Sequence, residues 1–259
     1  MLTVSLRRAD QLTLELIALR PALVYLPAEE IAAHPDRVEA ALTRGIPVAA
    51  ALPRILADEE LPRLSQELSA ARSLGITDAL VGNLGLVGPA LESGLSLRGD
   101  FGLGVFNSQA LKELRHLGFL SATASFELKF AQIRDLSKAV DTEAIVYGRL
   151  PLMIMEPCII KNRTGLCACE NVNQLTDRTM ARFPVVRAGS GCRNELLNAK
   201  KLFLADKKAD YQKLGLWGAR LMFTTENPRE CVQVTERYLD KGSYEPNEYT
   251  RGLYYRDVE

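Results

Sequence analysis

The sequence predicts an α/β fold, a TIM-like (β/α) barrel with a β-rich C-terminal insertion that carries a cluster of cysteines. In residues 1–150, short apolar segments alternate with amphipathic ones, and the connections between them are short. Strands that alternate with helices in this way pair in parallel, because each helix returns the chain to the starting end of the sheet. Seven strand candidates before residue 150 favour a closed barrel over an open sheet.

The strand candidates are apolar runs bounded by turn-forming residues. They span residues 2–6, 22–26, 47–52, 78–81, 103–106, 121–124 and 144–147. Residues 219–223 form a further buried run, which is expected to close the barrel.

The helix candidates have apolar residues at helical spacing. They span residues 9–19, 28–43, 59–74, 108–117, 127–138 and 228–241. Gly45, Gly75 and Gly118 follow three of them, where a helix often ends in a left-handed residue. An open doubly wound sheet is the main alternative. No Gly-x-Gly-x-x-Gly follows the first strand, which disfavours a dinucleotide-binding fold.

Composition places the chain among ordinary globular proteins. It has 259 residues, of which 47% are hydrophobic and 25% charged, and its formal net charge is zero. The protein as a whole therefore has no field that attracts nucleic acid, although a local basic patch remains compatible with the sequence. The N-terminus lacks the pattern of a signal peptide, and no apolar run is long enough for a membrane span. We expect a cytoplasmic protein with no membrane partner.

Four of the five cysteines lie within 35 residues, namely Cys158, Cys167, Cys169 and Cys192. The segments between them are polar and rich in turn residues, so they can fold around an ion. In a reducing compartment, clustered thiols bind metal or do redox chemistry more often than they form disulfides. Four thiolates suit a 4Fe–4S cluster or a structural zinc ion. Small buried thiols are the alternative.

In a barrel, the loops after the carboxyl ends of the strands carry the chemistry. This rule selects Asn107, Glu127 and Arg149, which follow the fifth, sixth and seventh strand candidates. Each also has a structural interpretation. Asn107 can cap the next helix, Glu127 can interact with a helix dipole, and Arg149 can pair with a carboxylate.

A series of short motifs occurs along the chain. The longest runs from Glu-Ala-Ile-Val-Tyr-Gly at residues 143–148 to Glu-Pro-Cys at 156–158. The others lie at residues 82–85, 99–101, 106–108, 125–128, 175–178, 183–185, 192, 198, 220–226 and 250–252. In their residues and their order, these motifs resemble those of the collagenase-like peptidases of family U32. The resemblance extends from about Gly82 to the C-terminus.

The resemblance implies a (β/α) barrel with an extra β-rich segment and a 4Fe–4S cluster held by four cysteines. The matching ligands are Cys158, Cys167, Cys169 and Cys192. It also implies an enzyme of oxygen-independent hydroxylation, acting on RNA or on a small aromatic substrate such as a quinone precursor. Asn107, Glu127 and Arg178 are then candidates to orient the substrate. Arg149 and Arg193 are candidates to supply positive charge near the cluster.

The alternative function is a collagenase-like peptidase, or a peptide-binding module with structural zinc. The sequence has two histidines, His34 and His116, both on helix candidates, so a histidine-based triad has few candidates. There is no His-Glu-x-x-His and no Gly-x-Ser-x-Gly. These absences disfavour a peptidase without excluding one.

The chain divides into a barrel core, residues 1–150, and residues 151–259, which hold the cysteine segment, the β-rich insertion, the barrel-closing elements and the tail. Residues 1–60 match the family pattern poorly. We therefore expect that the chain is the C-terminal part of a longer protein, whose N-terminal part would be a partner of the barrel.

Overall fold

The computed structural model describes residues 1–168, 171–189 and 192–255. Its strands are β1 (Leu2–Ser5), β2 (Leu23–Pro27), β3 (Val48–Ala51), β4 (Asp78–Val81), β5 (Ser96–Gly99), β6 (Phe119–Thr123), β7 (Asp141–Gly148), β8 (Pro151–Met155), β9 (Asn173–Thr176), β10 (Arg182–Arg187), β11 (Asn194–Leu197), β12 (Lys201–Phe203), β13 (Gly218–Met222) and β14 (Tyr249–Thr250). Its α-helices are α1 (Leu14–Ala18), α2 (Ala28–Ala33), α3 (Pro35–Leu42), α4 (Leu61–Ser73), α5 (Val87–Glu92), α6 (Ser108–His116), α7 (Phe130–Asp135), α8 (Ile159–Thr164), α9 (Lys208–Gln212) and α10 (Pro228–Tyr238).

Eight parallel strands close into a barrel, in the order β1 to β7 followed by β13. β13 pairs in parallel with both β1 and β7, and so it closes the ring. The predicted TIM-like barrel is therefore confirmed, and residues 219–223 contain its closing strand. Between the strands lie helices that bury apolar faces against the barrel, as in α6, where Leu111 and Leu114 are buried.

The predicted fifth strand, residues 103–106, is wrong. The barrel strand is β5, and Phe101–Leu103 form a 3₁₀ turn after it. The sequence hides β5 because Arg98 interrupts its apolar pattern. In the fold Arg98 is compensated by Asp78 at 2.6 Å, and its guanidinium lies 5.2 Å from the Trp217 ring.

Two predicted helices are divided in the structure. Residues 28–43 form α2 and α3, which separate at His34 because Pro35 starts a new helix. Residues 9–19 form a short 3₁₀ helix followed by α1. The predicted helix ends at Gly45, Gly75 and Gly118 are confirmed, since these glycines have φ of 74°, 90° and 86°.

A second sheet of four antiparallel strands, β8-β11-β10-β9, lies outside the barrel. It contains the predicted β-rich insertion and extends beyond it, because β8 precedes Cys158 and β11 follows Cys192. β12 and β14 add to the barrel sheet beside β7. Part of the C-terminal tail thus belongs to the barrel sheet. Tyr254 is buried, and its hydroxyl donates to the carbonyl of Ile145 at 2.6 Å.

No helix within the described ranges is both long enough and apolar enough to cross a bilayer.

The tightest backbone approach in the barrel is at the end of β7. Gly148 has φ of 131°, and a Cβ there would lie 2.1 Å from the carbonyl oxygen of Met222 on β13. Only glycine allows this seam between β7 and β13 to close, because neither the dihedral angle nor the space admits a side chain.

We therefore expect Gly148→Ala to lower the free energy of unfolding by more than about 2 kcal/mol, the sum of backbone strain and a clash with main-chain atoms. Gly215→Ala is the matched control, because Gly215 also has positive φ (65°) but open space around it. Urea denaturation followed by circular dichroism measures both. Equal losses in the two variants would mean that the close approach at Gly148 costs nothing beyond its dihedral angle.

Candidate functional site

A cavity of about 500 Å³ lies between the barrel mouth and the four-stranded sheet. On the barrel side it is lined by residues at the carboxyl ends of strands, including Ser5, Pro27 and Ala51. On the other side it is lined by Pro151 of β8 and Val186 of β10. We call it the mouth cavity. The second sheet thus covers the end of the barrel at which the chemistry of this fold is found.

Arg220 of β13 lies inside the barrel beneath this cavity, and its side chain is 1% exposed. It forms ion pairs with Glu143 of β7 and with Asp100, which follows β5 and lies 2.5 Å away. It also donates to the Thr123 hydroxyl at 2.7 Å and lies over the Tyr25 ring at 4.3 Å. Burial opposes the charge of Arg220, but Glu143 and Asp100 outweigh that effect and raise the pKa of the guanidinium. Asp100 lines the mouth cavity, so this network connects the barrel interior to the cavity floor.

Charged side chains line much of the mouth cavity. Its arginines are Arg7, Arg8, Arg54, Arg63, Arg149, Arg187 and Arg193. Its carboxylates are Glu29, Glu30, Glu60, Glu67, Asp100 and Glu195.

Two ion-pair groups attach the second sheet to the barrel. Glu195 of β11 is 2.7 Å from Arg7, which follows β1. Arg193, one residue before β11, is 2.8 Å from Glu60 and 2.7 Å from Glu156. The hydrogen bonds that Arg193 donates to Glu156 and Glu60 raise the pKa of its guanidinium. These contacts hold the cover of the cavity in place across the mouth.

Two of the cavity carboxyls have raised pKa values. Glu29 lies in the first turn of α2, and Glu67 lies on α4. Burial raises the pKa of Glu29 and of Glu67, and nearby arginines, Arg187 and Arg63 respectively, oppose the shift only in part. No hydrogen bond or ion pair of the Glu29 carboxylate is found within the described part of the chain.

The predicted substrate-orienting residues lie in different places. Arg149 lines the mouth cavity and donates to the carbonyls of Asn198, at 3.0 Å, and Ala199. Asn107 is exposed and caps α6, its side chain accepting from the amide of Ala110 at 2.9 Å. Glu127 is exposed, and Arg178 is exposed in the turn between β9 and β10. Among these four, only Arg149 lines the cavity, and catalytic roles for all four stay predictions.

The cysteine segments lie at one end of the second sheet. Cys158 is buried at the start of α8, where its sulfur accepts a hydrogen bond from the amide of Lys161 at 3.4 Å. Cys167 follows α8, and Cys192 precedes β11, both of them exposed. Cys169 lies outside the described residues. The strand β11 pairs with β8, and the amide of Ile159 donates to the Asn194 side chain at 2.9 Å, so the chain around Cys158 meets the chain after Cys192.

The chemistry of this donor set suits a thiolate-bound cluster, because an amide that donates to sulfur stabilises the thiolate form. Within the described residues, no three cysteine, histidine, aspartate or glutamate side chains are grouped so as to hold a metal ion. The set of four ligands therefore stays a prediction. Cys231, which we leave out of that set, is buried in α10, where burial raises the pKa of its thiol.

The sequence interpretation missed several charged residues of the cavity. Arg7, Arg54, Glu60 and Glu195 belong to segments far apart in the sequence, and no motif groups them. A weak signal did exist for two of them. Arg7 and Arg54 each follow a strand candidate, as the rule for barrel loops requires.

Comparison with known proteins first confirms the class of fold. The chain superposes on the structure named "Native KDPGal structure" with a TM-score of 0.51, 12% sequence identity, and coverage of 93% of each chain. It superposes on the U32 peptidase Mk0906 with a TM-score of 0.54 and 14% identity, covering 88% of this chain and 95% of the other. At such low identity the likeness shows the fold alone. No curated protein matches the chain in sequence.

The sequence model of peptidase family U32 matches residues 20–174. The chain therefore belongs to peptidase family U32, which confirms the resemblance. The match begins well before Gly82, so the prediction of a poor family match over residues 1–60 is wrong for residues 20–60.

Arg220 offers a direct test of the buried network. We expect Arg220→Met to lower the free energy of unfolding by about 3–5 kcal/mol, because it leaves Glu143 and Asp100 without their cation. Urea denaturation measures the loss. The matched control is Arg220→Met combined with Glu143→Gln and Asp100→Asn, which removes the stranded charges and should recover part of the stability. A single variant as stable as wild type would show that the network does not support the barrel.

Glu29 predicts a pH effect with a defined sign. Its pKa is raised by folding, so the folded state binds a proton more tightly than the unfolded state does. This contribution to stability is present below the ordinary glutamate pKa and is lost as the pH rises through the raised value. The measured quantity is the urea midpoint of unfolding. We expect Glu29→Gln to raise this midpoint above that of wild type by more at pH 7 than at pH 4. The exposed Glu59→Gln is the control, and a Glu29 variant with no pH-dependent difference from it would contradict the prediction.

Proposed function

We propose that this chain is an iron–sulfur enzyme that acts on a small substrate in the mouth cavity. One observation carries the proposal: the loops that bear the cysteines form part of the cavity wall. Asn171 and Gly189 line the cavity, and they lie two residues after Cys169 and three residues before Cys192. A thiolate-bound group at these loops would border the space in which a substrate binds.

The proposed ligands are Cys158, Cys167, Cys169 and Cys192, and the group they would hold is a 4Fe–4S cluster. Such a cluster supplies electron transfer or binds a substrate oxygen. Its potential depends on net charge, on hydrogen bonds to sulfur and on solvent exposure. One hydrogen bond to sulfur supports the proposal: the amide of Lys161 donates to the sulfur of Cys158.

The chain itself contributes binding, orientation and exclusion of water. The second sheet covers the mouth, and the ion pairs of Arg193 with Glu60 and Glu156 fix the segment after Cys192 against the barrel. Because both carboxylates compensate Arg193, it supplies less positive charge to the cysteines than its sequence position suggested. Asp100 is held at the cavity floor by Arg220, in a fixed position from which it can contact a substrate.

The reaction class that we propose is oxygen-independent hydroxylation of a small aromatic substrate. A volume of about 500 Å³ is typical of small-molecule sites. An RNA substrate has less support. Lysines bind RNA through its phosphates, and two lysines in the C-terminal part of the chain already form ion pairs with carboxylates. Lys201 is 3.1 Å from Glu226, and Lys208 is 2.5 Å from Asp240.

The alternative, a peptidase with structural zinc, draws no support from the histidines. Within the described ranges, neither histidine lines the mouth cavity. His34 lies between α2 and α3, and His116 ends α6 beside Glu113, 3.7 Å away.

Anaerobic purification with iron and sulfide analysis tests the proposal. We expect iron and sulfide in the wild-type protein, and loss of most of the iron in Cys192→Ala, because the variant removes one of the four thiolates proposed to hold the cluster. Cys231→Ala is the matched control and should keep its iron, since Cys231 lies buried in α10. One zinc ion per chain without sulfide would support the peptidase alternative, and unchanged iron in Cys192→Ala would remove Cys192 from the ligand set.

A further inference from the structure

Positive and negative side chains occur in nearly equal numbers on the wall of the mouth cavity. Seven arginines and six carboxylates of the described residues line it. Two of the arginines, Arg8 and Arg193, also pair with carboxylates outside the lining, Asp10 and Glu156. A preference of the cavity for a charged ligand therefore depends on how these groups are arranged locally.

At one place on this wall, two arginines share a single carboxylate. Glu195 is 2.7 Å from Arg7 through one oxygen and 3.7 Å from Arg54 through the other. Arg7 also donates to the carbonyl of Arg187. Arg54 is the less engaged of the two, and its side chain is 36% exposed, compared with 23% for Arg7. A second carboxylate beside Arg54 would balance the two cations with two anions.

An apolar surface adjoins Arg54. Its guanidinium lies over the Phe101 ring at 4.9 Å, and Leu52 and Ile154 line the same cavity. Arginine can stack on an aromatic face and still present a planar pair of donors to a carboxylate. The combination fits a ligand with a carboxylate attached to an apolar body.

Two buried polar atoms of residues that line the cavity lack a hydrogen-bond partner among the described residues. Within the described part of the chain, the buried Arg149 Nε and the Thr224 hydroxyl have no hydrogen-bond partner. Both residues line the mouth cavity, and they follow the paired strands β7 and β13. Buried polar atoms are nearly always paired, so two unpaired ones beside one cavity indicate a place for a ligand oxygen. Both atoms are covered at present, so a ligand oxygen reaches them only after a side-chain rotation.

We propose that the mouth cavity binds a small molecule through a carboxylate held by Arg54 beside Glu195, with its apolar body against Phe101. This inference rests on the proposed function for the identity of the cavity as the substrate site. It adds the chemical class of the substrate, an apolar or aromatic carboxylate.

Three probes of one shape test the proposal on the full chain: benzoate, benzamide and benzylammonium. Titration calorimetry at constant ionic strength should show benzoate binding at least tenfold more tightly than either of the others. Higher salt should weaken benzoate binding and leave benzamide unchanged, because only the charged probe is screened. Equal binding of benzoate and benzamide, a preference for benzylammonium, or no binding by any probe would overturn the proposal.

Variants locate the contact. Arg54→Gln should weaken benzoate binding at least fivefold and leave benzamide unchanged, and Arg54→Lys should fall between Arg54→Gln and wild type. Arg44→Gln is the control, because Arg44 follows α3, is exposed and does not line the mouth cavity; it donates to the Ala40 carbonyl at 2.8 Å. Unchanged benzoate affinity in a folded Arg54→Gln variant would exclude Arg54 as the anchor.

The same titrations on Cys192→Ala separate this inference from the proposed function. If that variant loses its iron and still prefers benzoate, both proposals stand. If the wild type contains no iron but prefers benzoate, the iron–sulfur proposal fails and the ligand class is retained. If the wild type contains iron and sulfide but shows no preference, the ligand class alone fails.

Discussion

The ion pairs of Arg220 are the interaction on which the rest of the barrel depends. A guanidinium inside a barrel is costly unless its donors are paired, and here Glu143, Asp100 and Thr123 pair them. The partners come from β7, from the loop after β5 and from β6, so one side chain of the closing strand contacts three separate parts of the ring. It thereby fixes the closure of the barrel and the position of Asp100 at the cavity floor.

The second sheet covers part of this barrel mouth and forms one wall of the cavity. Ion pairs at the rim attach this sheet to the barrel: Arg7 with Glu195, and Arg193 with Glu60. The same strands carry the cysteine segments, since Cys158 follows β8 and Cys192 precedes β11. The cover, the charged wall and the proposed cluster ligands are thus parts of one structural unit, and a change in the position of the sheet would alter all three.

Much of the barrel could be predicted, because its strands are buried on both faces and appear as apolar runs. The segments that form β2 and β3 are of this kind. β5 escaped prediction because Arg98 is stabilised by Asp78, a partner 20 residues away. The division of residues 28–43 into two helices was readable at Pro35, and the prediction overlooked it.

The sequence by itself determined the barrel class, the family and the clustering of the cysteines, because these depend on local patterns and on the order of motifs. Only the tertiary structure decided which charges meet. Distant segments of the chain supply Arg7, Arg54 and Glu195. The two arginines share the one carboxylate of Glu195 only once the second sheet lies over the mouth. Asn107 shows the reverse case, a residue at the right rim position whose side chain caps a helix. Local sequence specifies the helix, strand or loop in which a residue lies, whereas long-range packing decides what its side chain contacts.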